Sequence, residues 1–175
     1  MNIASTQIND LYIIKIDKFT DKRGFFKSLI DNQTLKDLGI KKIDQSCISL
    51  SKKGVFRGLH YQIKKPLVQL VYCAQGDVLD VLCDMRKNSK SFGKTIKIRL
   101  NENDNKVIFI PKGLAHGFLS LHPKSLLIYN IIGTYDKILE RGVNYKSLNL
   151  NLPLKPNIMI DRDKNWPNFL DADYI

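Results

Sequence analysis

A histidine and an arginine close together are the residues of this chain best suited to proton transfer on carbon. His60 lies in residues 55–62 (VFRGLHYQ), three positions after Arg57. A neutral imidazole titrates near neutral pH and can accept a proton from carbon, and a guanidinium beside it can hold an anion. The spacing therefore predicts a proton-abstraction site for an anionic substrate. The alternative is a hydrogen-bonded core histidine next to a surface arginine.

A second histidine, His116, lies in residues 111–118 (PKGLAHGF). A Pro-x-Gly-x-x-His segment in a strand-rich chain resembles the second motif of the cupin superfamily, where the histidine often binds a metal. The first motif of a metal-binding cupin supplies His-x-His followed by a glutamate, whereas the stretch here is HYQIKK, beginning at His60. Two histidines without a third ligand make a poor divalent-metal site. We therefore expect no metal and no cofactor.

The composition indicates the number of domains and the kind of partner that this chemistry could serve. The 175 residues are 43% hydrophobic and contain no linker-like segment, which predicts a single domain over residues 1–175. The net charge of +11 comes mainly from 22 scattered lysines, with only 6 arginines. Nucleic-acid binding favours a concentrated basic stripe, so we expect a solvated surface and no nucleic-acid partner. A positive field that attracts a phosphate-bearing small molecule is the functional alternative.

Cysteines and apolar runs indicate the compartment. There are three cysteines and no Cys-x-x-Cys pair, and Cys73 and Cys83 lie inside apolar runs, as expected for reduced thiols. The N-terminal residues lack the pattern of a signal peptide, and no run approaches the roughly 18 apolar residues of a membrane span. These features predict a cytoplasmic protein that does not associate with membranes.

The chain reads as an all-β protein with few helices. One helix is predicted over residues 31–38, because Asp31 can cap it and Gly39 can end it. Strands are predicted over residues 11–16, 47–51, 68–73, 78–85, 95–100, 107–110, 117–121 and 126–132. Repeated short strands without intervening helices are typical of an antiparallel sandwich or barrel. Residues 161–170 are expected to hold a helical turn or two.

Alternation is clearest in residues 95–100. Ile96, Ile98 and Leu100 fall on one face of this predicted strand, and Lys97 and Arg99 fall on the other. Because successive side chains in a strand point to opposite faces, the segment should be buried on one face only.

Four motifs in order resemble one enzyme family. They are RGFF from Arg23, VFRGLHYQ from Val55, QGDVLDVLCDMRKNSKSFG from Gln75, and IPKGLAHGF from Ile110. In this order and at these separations they are similar to the dTDP-4-dehydrorhamnose 3,5-epimerases, which are metal-free cupins. The resemblance implies a cupin-type antiparallel jelly-roll barrel that epimerises a nucleoside-diphosphate 4-keto-6-deoxy sugar through an enolate.

The resemblance also implies the catalytic residues. The base of the family corresponds to His60, and its orienting carboxylate corresponds to Asp163, in the segment from Arg162 to Pro167. The proton donor for the opposite face of the sugar corresponds to Tyr129. A carboxylate on one ring nitrogen fixes the tautomer of a histidine and raises the basicity of the other nitrogen.

Substrate contacts follow in the same way. The implied partner is a homodimer in which the N-terminal strands, with Arg23, reach the neighbouring pocket. The residues expected to bind substrate are Arg23, Phe26, Gln45, Arg57, Gln69, His116 and Arg162.

Several positions depart from the family pattern. Gln69 stands where the family has a lysine that offsets enolate charge, and a neutral amide stabilises an oxyanion less than an ammonium does. Ser28, Cys47 and Thr134 also differ, at positions near the nucleotide end of the family pocket. These differences lead us to expect a moderate preference for a GDP-linked 4-keto-heptose, used in bacterial surface polysaccharides.

Three alternatives remain open at this stage. The first is an ordinary dTDP-4-dehydrorhamnose 3,5-epimerase. For an epimerase of either substrate, inversion at C3 alone and inversion at both C3 and C5 stay open. The second is a non-catalytic sugar-nucleotide-binding cupin, favoured only by Gln69. The third is a nucleic-acid-binding protein, suggested only by charge.

Overall fold

The computed structural model describes residues 2–175 as a barrel of antiparallel strands with short helices. The helices are α1 (Asn32–Asp37) and α2 (Asp161–Lys164), with 3-10 turns at Tyr145–Leu148 and Phe169–Asp171. The strands are β1 (Asn2–Ser5), β2 (Tyr12–Lys15), β3 (Lys18–Asp21), β4 (Gly24–Lys27), β5 (Gln45–Ser51), β6 (Phe56–Gln62), β7 (Val68–Gln75), β8 (Asp77–Asp84), β9 (Thr95–Asn101), β10 (Lys106–Ile110), β11 (Leu114–Ser120), β12 (Ser125–Ile132) and β13 (Glu140–Gly142). No helix in this range is long and apolar enough to cross a bilayer.

Two sheets face each other across the barrel. One has the order β1-β2-β10-β7-β12-β5, and the other has the order β13-β6-β11-β8-β9. A separate hairpin pairs β3 with β4. Strands that follow one another in the sequence mostly do not lie side by side in these sheets, as in a jelly roll. The predicted all-β cupin-type fold is therefore confirmed.

The main core lies between the two sheets. Val71, Ile108 and Leu127 from the six-stranded sheet pack against Leu82 and Phe118 from the five-stranded sheet, and all five are buried. Burial of this apolar surface is the main driving force for closing the barrel. Tyr129 lies at the margin of this core and is only partly buried.

A different segment of the chain packs against each outer face of the barrel. Leu35 and Leu38, at α1, pack over the six-stranded sheet. The chain from Val143 to Ile175 packs over the five-stranded sheet, where Phe169 and Tyr174 contribute apolar side chains. The C-terminal segment is therefore held against the strands that carry both histidines.

Local sequence signals correctly predicted the helix α1 and the alternating strand β9. Asp31 caps α1 by accepting a hydrogen bond from the Thr34 amide at 2.7 Å, and Gly39 follows with φ +68. In β9, Ile98 and Leu100 are buried while Lys97 and Arg99 are exposed. Both predictions are confirmed, as is the helical turn near residue 161.

Strand boundaries and short strands were predicted less well. The strand predicted from residue 117 begins at Leu114, because the turn that precedes it ends sooner than the motif suggested. The list of predicted strands left out β6, whose seven residues include Arg57 and His60. The pattern also gave no sign of β1, the β3–β4 hairpin or β13. These last strands have three or four residues, too few for periodicity to be recognised.

A bulge in β6 lets Arg57 and His60 face the same side. His116 in β11 is opposite His60, and Phe118 is opposite Arg57, so two steps on β11 match three on β6. Without the extra residue, side chains three apart would point to opposite faces of the sheet. The backbones approach closely here, since a Cβ on Gly58 would lie 2.6 Å from the Gly117 Cα.

We expect Gly58→Ala to lower the free energy of unfolding by about 2–4 kcal/mol, because φ is +112 and the methyl group has no room. Gly24→Ala is the matched control, with φ +126 and nothing within 4 Å of its Cβ. It should cost only about 1 kcal/mol. Urea unfolding of both variants measures the difference. Equal losses would mean that backbone strain alone, and no close approach, makes residue 58 a glycine.

Candidate active site

A cavity of about 440 Å³ opens at one end of the barrel between the two sheets. A smaller cavity of about 170 Å³ adjoins it, and His60 contributes to the walls of both. The larger cavity brings together six of the predicted site residues: Arg57, His60, His116, Tyr129, Arg162 and Asp163. Gln69 lines the smaller cavity.

His60 is held by a carboxylate that lies 103 positions further along the chain. Its Nε2 is 2.7 Å from Asp163 Oδ1, and the other carboxylate oxygen accepts the Gly58 amide hydrogen at 3.0 Å. This arrangement places the Nε2 hydrogen on the Asp163 side and leaves Nδ1 for a substrate. Since 28% of the His60 side chain is exposed and 2% of Asp163 is, the histidine faces the cavity and the carboxylate lies behind it.

The carboxylate behind His60 stays ionised. Burial raises its pKa, but hydrogen bonds from His60 and Gly58 and the charge of Arg162 outweigh burial and hold the pKa of Asp163 below its usual value. An ionised Asp163 stabilises the imidazolium that forms when His60 takes a proton. The pair can therefore act as an oriented general base.

Tyr129 faces the cavity from the opposite sheet. Its hydroxyl is 3.2 Å from Ser49 Oγ, and its ring lies 6.2 Å from the His116 ring, centroid to centroid. Burial raises the pKa of Tyr129, although the hydrogen bond with Ser49 opposes the shift. The phenol keeps its hydrogen at neutral pH and can serve as a proton donor.

His116 belongs to a second histidine–carboxylate pair. Its Nε2 is 3.1 Å from Asp80 Oδ2, and its Nδ1 is 3.2 Å from Gln69 Oε1. Asp80 is fully buried. Sequence reasoning missed Asp80, although a carboxylate in the middle of a strand and flanked by Leu79 and Val81 was a usable signal, because buried charges are nearly always paired.

The two cavity arginines have different partners. Arg57 donates to Ser51 Oγ at 3.1 Å and is largely exposed at the cavity rim. Arg162 Nη1 contacts Glu140 Oε2 at 2.5 Å, and its Nε is 3.5 Å from Asp163 Oδ1. Glu140, which the sequence did not single out, thus anchors the guanidinium beside the Asp163 carboxylate.

Three predicted substrate contacts lie outside this cavity. Arg23 pairs with Asp21 in the β3–β4 hairpin, and Phe26 is 66% exposed there. Gln45 is exposed at the start of β5. Within one chain the structure does not bring these residues to His60, so the expectation that they bind substrate requires a second subunit.

Metal ligation finds no support in the arrangement of side chains. Between residues 2 and 175 no three histidine, cysteine, aspartate or glutamate side chains cluster in a way that could hold a metal ion. Both cavity histidines instead pair with buried carboxylates. Metal independence stays a prediction.

A cupin-type barrel with a histidine–carboxylate pair on one sheet and a phenol on the other is suited to moving protons on carbon, the chemistry of one class of isomerases. Comparison with known proteins identifies the family. The sequence model of dTDP-4-dehydrorhamnose 3,5-epimerase matches residues 5–171. The chain belongs to the dTDP-4-dehydrorhamnose 3,5-epimerase family, and it is an isomerase.

Individual relatives agree with this assignment. A dTDP-4-dehydrorhamnose 3,5-epimerase from Shigella flexneri is 38% identical, over 99% of both chains. The crystal structure of the enzyme of that name from Sulfolobus tokodaii is 35% identical, with a TM-score of 0.91 over 99% of both chains. A Legionella pneumophila dTDP-6-deoxy-D-glucose-3,5-epimerase, solved in complex with dTDP-4-keto-L-rhamnose, is 33% identical, with a TM-score of 0.92 over 98% of this chain and 94% of that one.

These comparisons bear on the expected nucleotide. The names of these relatives specify dTDP-linked sugars. The expected preference for a GDP-linked heptose has no support among them, and the alternative, a dTDP-linked substrate, fits better.

We expect Asp163→Asn to lower kcat by about 10²-fold or more, because the amide keeps the volume but cannot stabilise a protonated His60. Asp161→Asn is the matched control, since Asp161 lies in the same short helix with 89% of its side chain exposed. Steady-state rates and melting temperatures of both variants should be compared. If both lose activity equally, disturbance of α2 and not the charge of Asp163 is responsible.

Proposed function

We propose that this protein is a cofactor-independent 3,5-epimerase of a dTDP-linked 4-keto-6-deoxy sugar, acting in bacterial surface polysaccharide synthesis. The observation that carries the proposal is the placement of His60 and Tyr129. They come from β6 and β12, in different sheets, and both face the 440 Å³ cavity. Epimerisation needs a group that removes a proton from one face of the sugar and a group that returns a proton to the other.

The reaction proceeds through an enolate. The C4 ketone makes the hydrogens on C3 and C5 acidic, and His60 Nδ1 removes one of them as a proton. The electron pair of the broken C–H bond moves toward the C4 oxygen. Tyr129 then donates its phenolic proton to the opposite face of the same carbon as the electron pair returns from the C4 oxygen. His60 releases the proton it took to solvent, and the phenolate regains a proton from solvent. General acid–base catalysis of this kind contributes roughly 10²–10⁴-fold to the rate.

The diphosphate of the proposed substrate gives Arg57 of the cavity a binding role. Arg57 lies at the rim, and a guanidinium matches phosphate oxygens in pairs. The net charge of +11 adds a general attraction for the anionic substrate. The names of the relatives support thymidine as the nucleoside, and we propose dTDP in place of the GDP expected from the altered positions.

We expect deuterium from solvent to enter C3 and C5 of dTDP-4-keto-6-deoxyglucose in the presence of the protein, and more slowly with the GDP-linked sugar. His60→Asn should abolish the exchange, because no enolate forms without a base. Tyr129→Phe should retain exchange at the original configuration while net inversion falls by about 10²-fold or more, because only the proton donor of the opposite face is lost.

Proton NMR of the recovered sugar reports both quantities. Identical failure of the two variants at unchanged melting temperature would contradict the assignment of two faces. No exchange with the unaltered protein would favour a non-catalytic binding cupin.

We further propose a homodimer in which a second copy completes the site. Phe19, Phe25 and Phe26 in the β3–β4 hairpin are 59–66% exposed, and Ile48 and Leu50 on the edge strand β5 are 69% and 58% exposed. Exposed apolar patches of this kind mark interaction surfaces. A partner that covers them would also place Arg23 and Phe26 of one chain at the cavity of the other.

We expect activity to return when Arg23→Ala subunits and His60→Asn subunits are unfolded, mixed and refolded together. If the subunits pair at random, half of the dimers contain one subunit of each variant. In each mixed dimer only the cavity that keeps His60 also receives an intact Arg23, so one of its two sites is complete. Recovery should therefore reach about a quarter of normal activity. Arg57→Ala mixed with His60→Asn is the control, because both residues line the cavity of one chain and no intact site forms. Absence of recovery, or a monomer by light scattering, would exclude the shared site.

A further inference from the structure

Ser49 is the hydrogen-bond partner of the phenol that faces the cavity. Its Oγ lies 3.2 Å from the Tyr129 hydroxyl, and within residues 2–175 that hydroxyl has no other partner. The two residues come from neighbouring strands, because β5 pairs with β12 so that Ser49 is opposite Leu127, two positions before Tyr129. Side chains on one face of paired strands can reach one another across this diagonal. Ser49 therefore contacts the proton donor of the proposed reaction from the side of β5.

The position of Ser49 also brings it close to the edge of the sheet. β5 is the last strand of the six-stranded sheet, and Ile48 and Leu50 point outward, with 69% and 58% exposed. Since side chains alternate along a strand, Ser49 points inward, where it lines the 440 Å³ cavity and is partly exposed. A hydroxyl can donate one hydrogen bond while it accepts another. Ser49 is therefore suited to pass a proton between solvent and Tyr129.

Inversion of two carbons in one bound sugar makes a demand that inversion of one carbon does not. Each inversion takes the phenolic proton of Tyr129 and leaves a phenolate. While the sugar occupies the cavity, it separates the cavity face of Tyr129 from water, so the proton for a second inversion must arrive from another side. The hydrogen bond with Ser49 favours the phenolate, because it lowers the pKa of Tyr129 against the effect of burial.

Other groups near Tyr129 are poorly placed to return its proton. The His116 ring is 6.2 Å away, centroid to centroid, and both of its nitrogens have side-chain partners of their own. Arg57 donates to a serine of β5 and keeps its protons at neutral pH. Cys47 is opposite Tyr129 in the strand pair, but the hydrogen bond of the phenol goes to Ser49.

We propose that Ser49 is a proton relay that returns a proton to Tyr129 while the sugar is still bound, and that it thereby allows C3 and C5 to be inverted before release. The Ser49 O–H bond breaks as the Tyr129 O–H bond forms, and Ser49 takes a proton from water in the same step. The proton that His60 releases to solvent balances the one that enters through Ser49. Ser49 acts on the sugar only through Tyr129. The inference rests on the proposed epimerase function.

Ser49→Ala tests the relay through the products. We expect the first inversion to slow by no more than about threefold, because Tyr129 begins with its proton, and the ratio of singly to doubly inverted sugar to rise by about tenfold or more, because the second inversion lacks its general acid. Proton NMR of dTDP-4-keto-6-deoxyglucose, quenched within the first few turnovers in deuterium oxide, measures the rate and the ratio. Ser49→Thr keeps the hydroxyl and should restore the ratio.

Ser46→Ala is the matched control. Ser46 is also a serine of β5 whose hydroxyl donates to a side chain of β12, Asn130 Oδ1 at 2.7 Å. It is exposed and does not line the cavity. Its replacement should leave the rate and the ratio unchanged. Melting temperatures of the three variants show whether any change in the products reflects a loss of folded protein.

The outcomes separate this inference from the proposed function. Equal slowing of both inversions in Ser49→Ala, with the product ratio unchanged, would show that Ser49 only orients Tyr129 and would overturn the relay. Release of mainly singly inverted sugar by the unaltered protein in its first turnovers would also overturn the relay, while the epimerase function stands. If the unaltered protein exchanges no deuterium into any 4-keto sugar nucleotide, both fail.

Discussion

The contact of Asp163 with β6 is the interaction on which the site and the C-terminal segment both depend. One carboxylate oxygen accepts from His60 and the other from the Gly58 amide, and only 2% of the side chain is exposed. A buried carboxylate is costly unless its oxygens are satisfied, so α2 is stable against the sheet only in the position where both bonds form. The position that satisfies the carboxylate is also the one that fixes the orientation of the His60 ring.

Two histidine–carboxylate pairs in one cavity differ in burial. His60 keeps 28% of its side chain exposed, whereas His116 keeps 6% and has a partner at each ring nitrogen. An exposed nitrogen can exchange a proton with a substrate, whereas a ring enclosed between two partners is held in place. The His60 pair is therefore suited to proton transfer, and the His116 pair is suited to positioning its neighbours.

In a single chain the 440 Å³ cavity opens at one end of the barrel. Arg57 occupies the rim, but Arg23 and Phe26 lie on a separate hairpin, and β5 is an unpaired edge with exposed Ile48 and Leu50. Open edges and exposed aromatic side chains are normally covered in stable proteins. The features that would make an isolated chain prone to association are those that a shared active site would use.

Features that depend on near neighbours could be predicted from the order of the residues. Asp31 and Gly39 marked α1, alternation marked β9, and four ordered motifs marked the family, since capping and strand periodicity are set within a few residues. His60 and Tyr129 were found through the motifs and lie at one cavity. The same reasoning over-interpreted the altered positions near Cys47 as a preference for GDP, because base recognition depends on a pocket that a substitution does not describe.

Contacts between distant residues could be recognised only in the folded chain. The pairing of Asp80 with His116 spans 36 positions, and that of Asp163 with His60 spans 103. The bulge that turns Arg57 and His60 to the same face exists only in the register of β6 against β11. The sequence lists the side chains that are present. The distances between them and their burial depend on how the chain folds into two sheets.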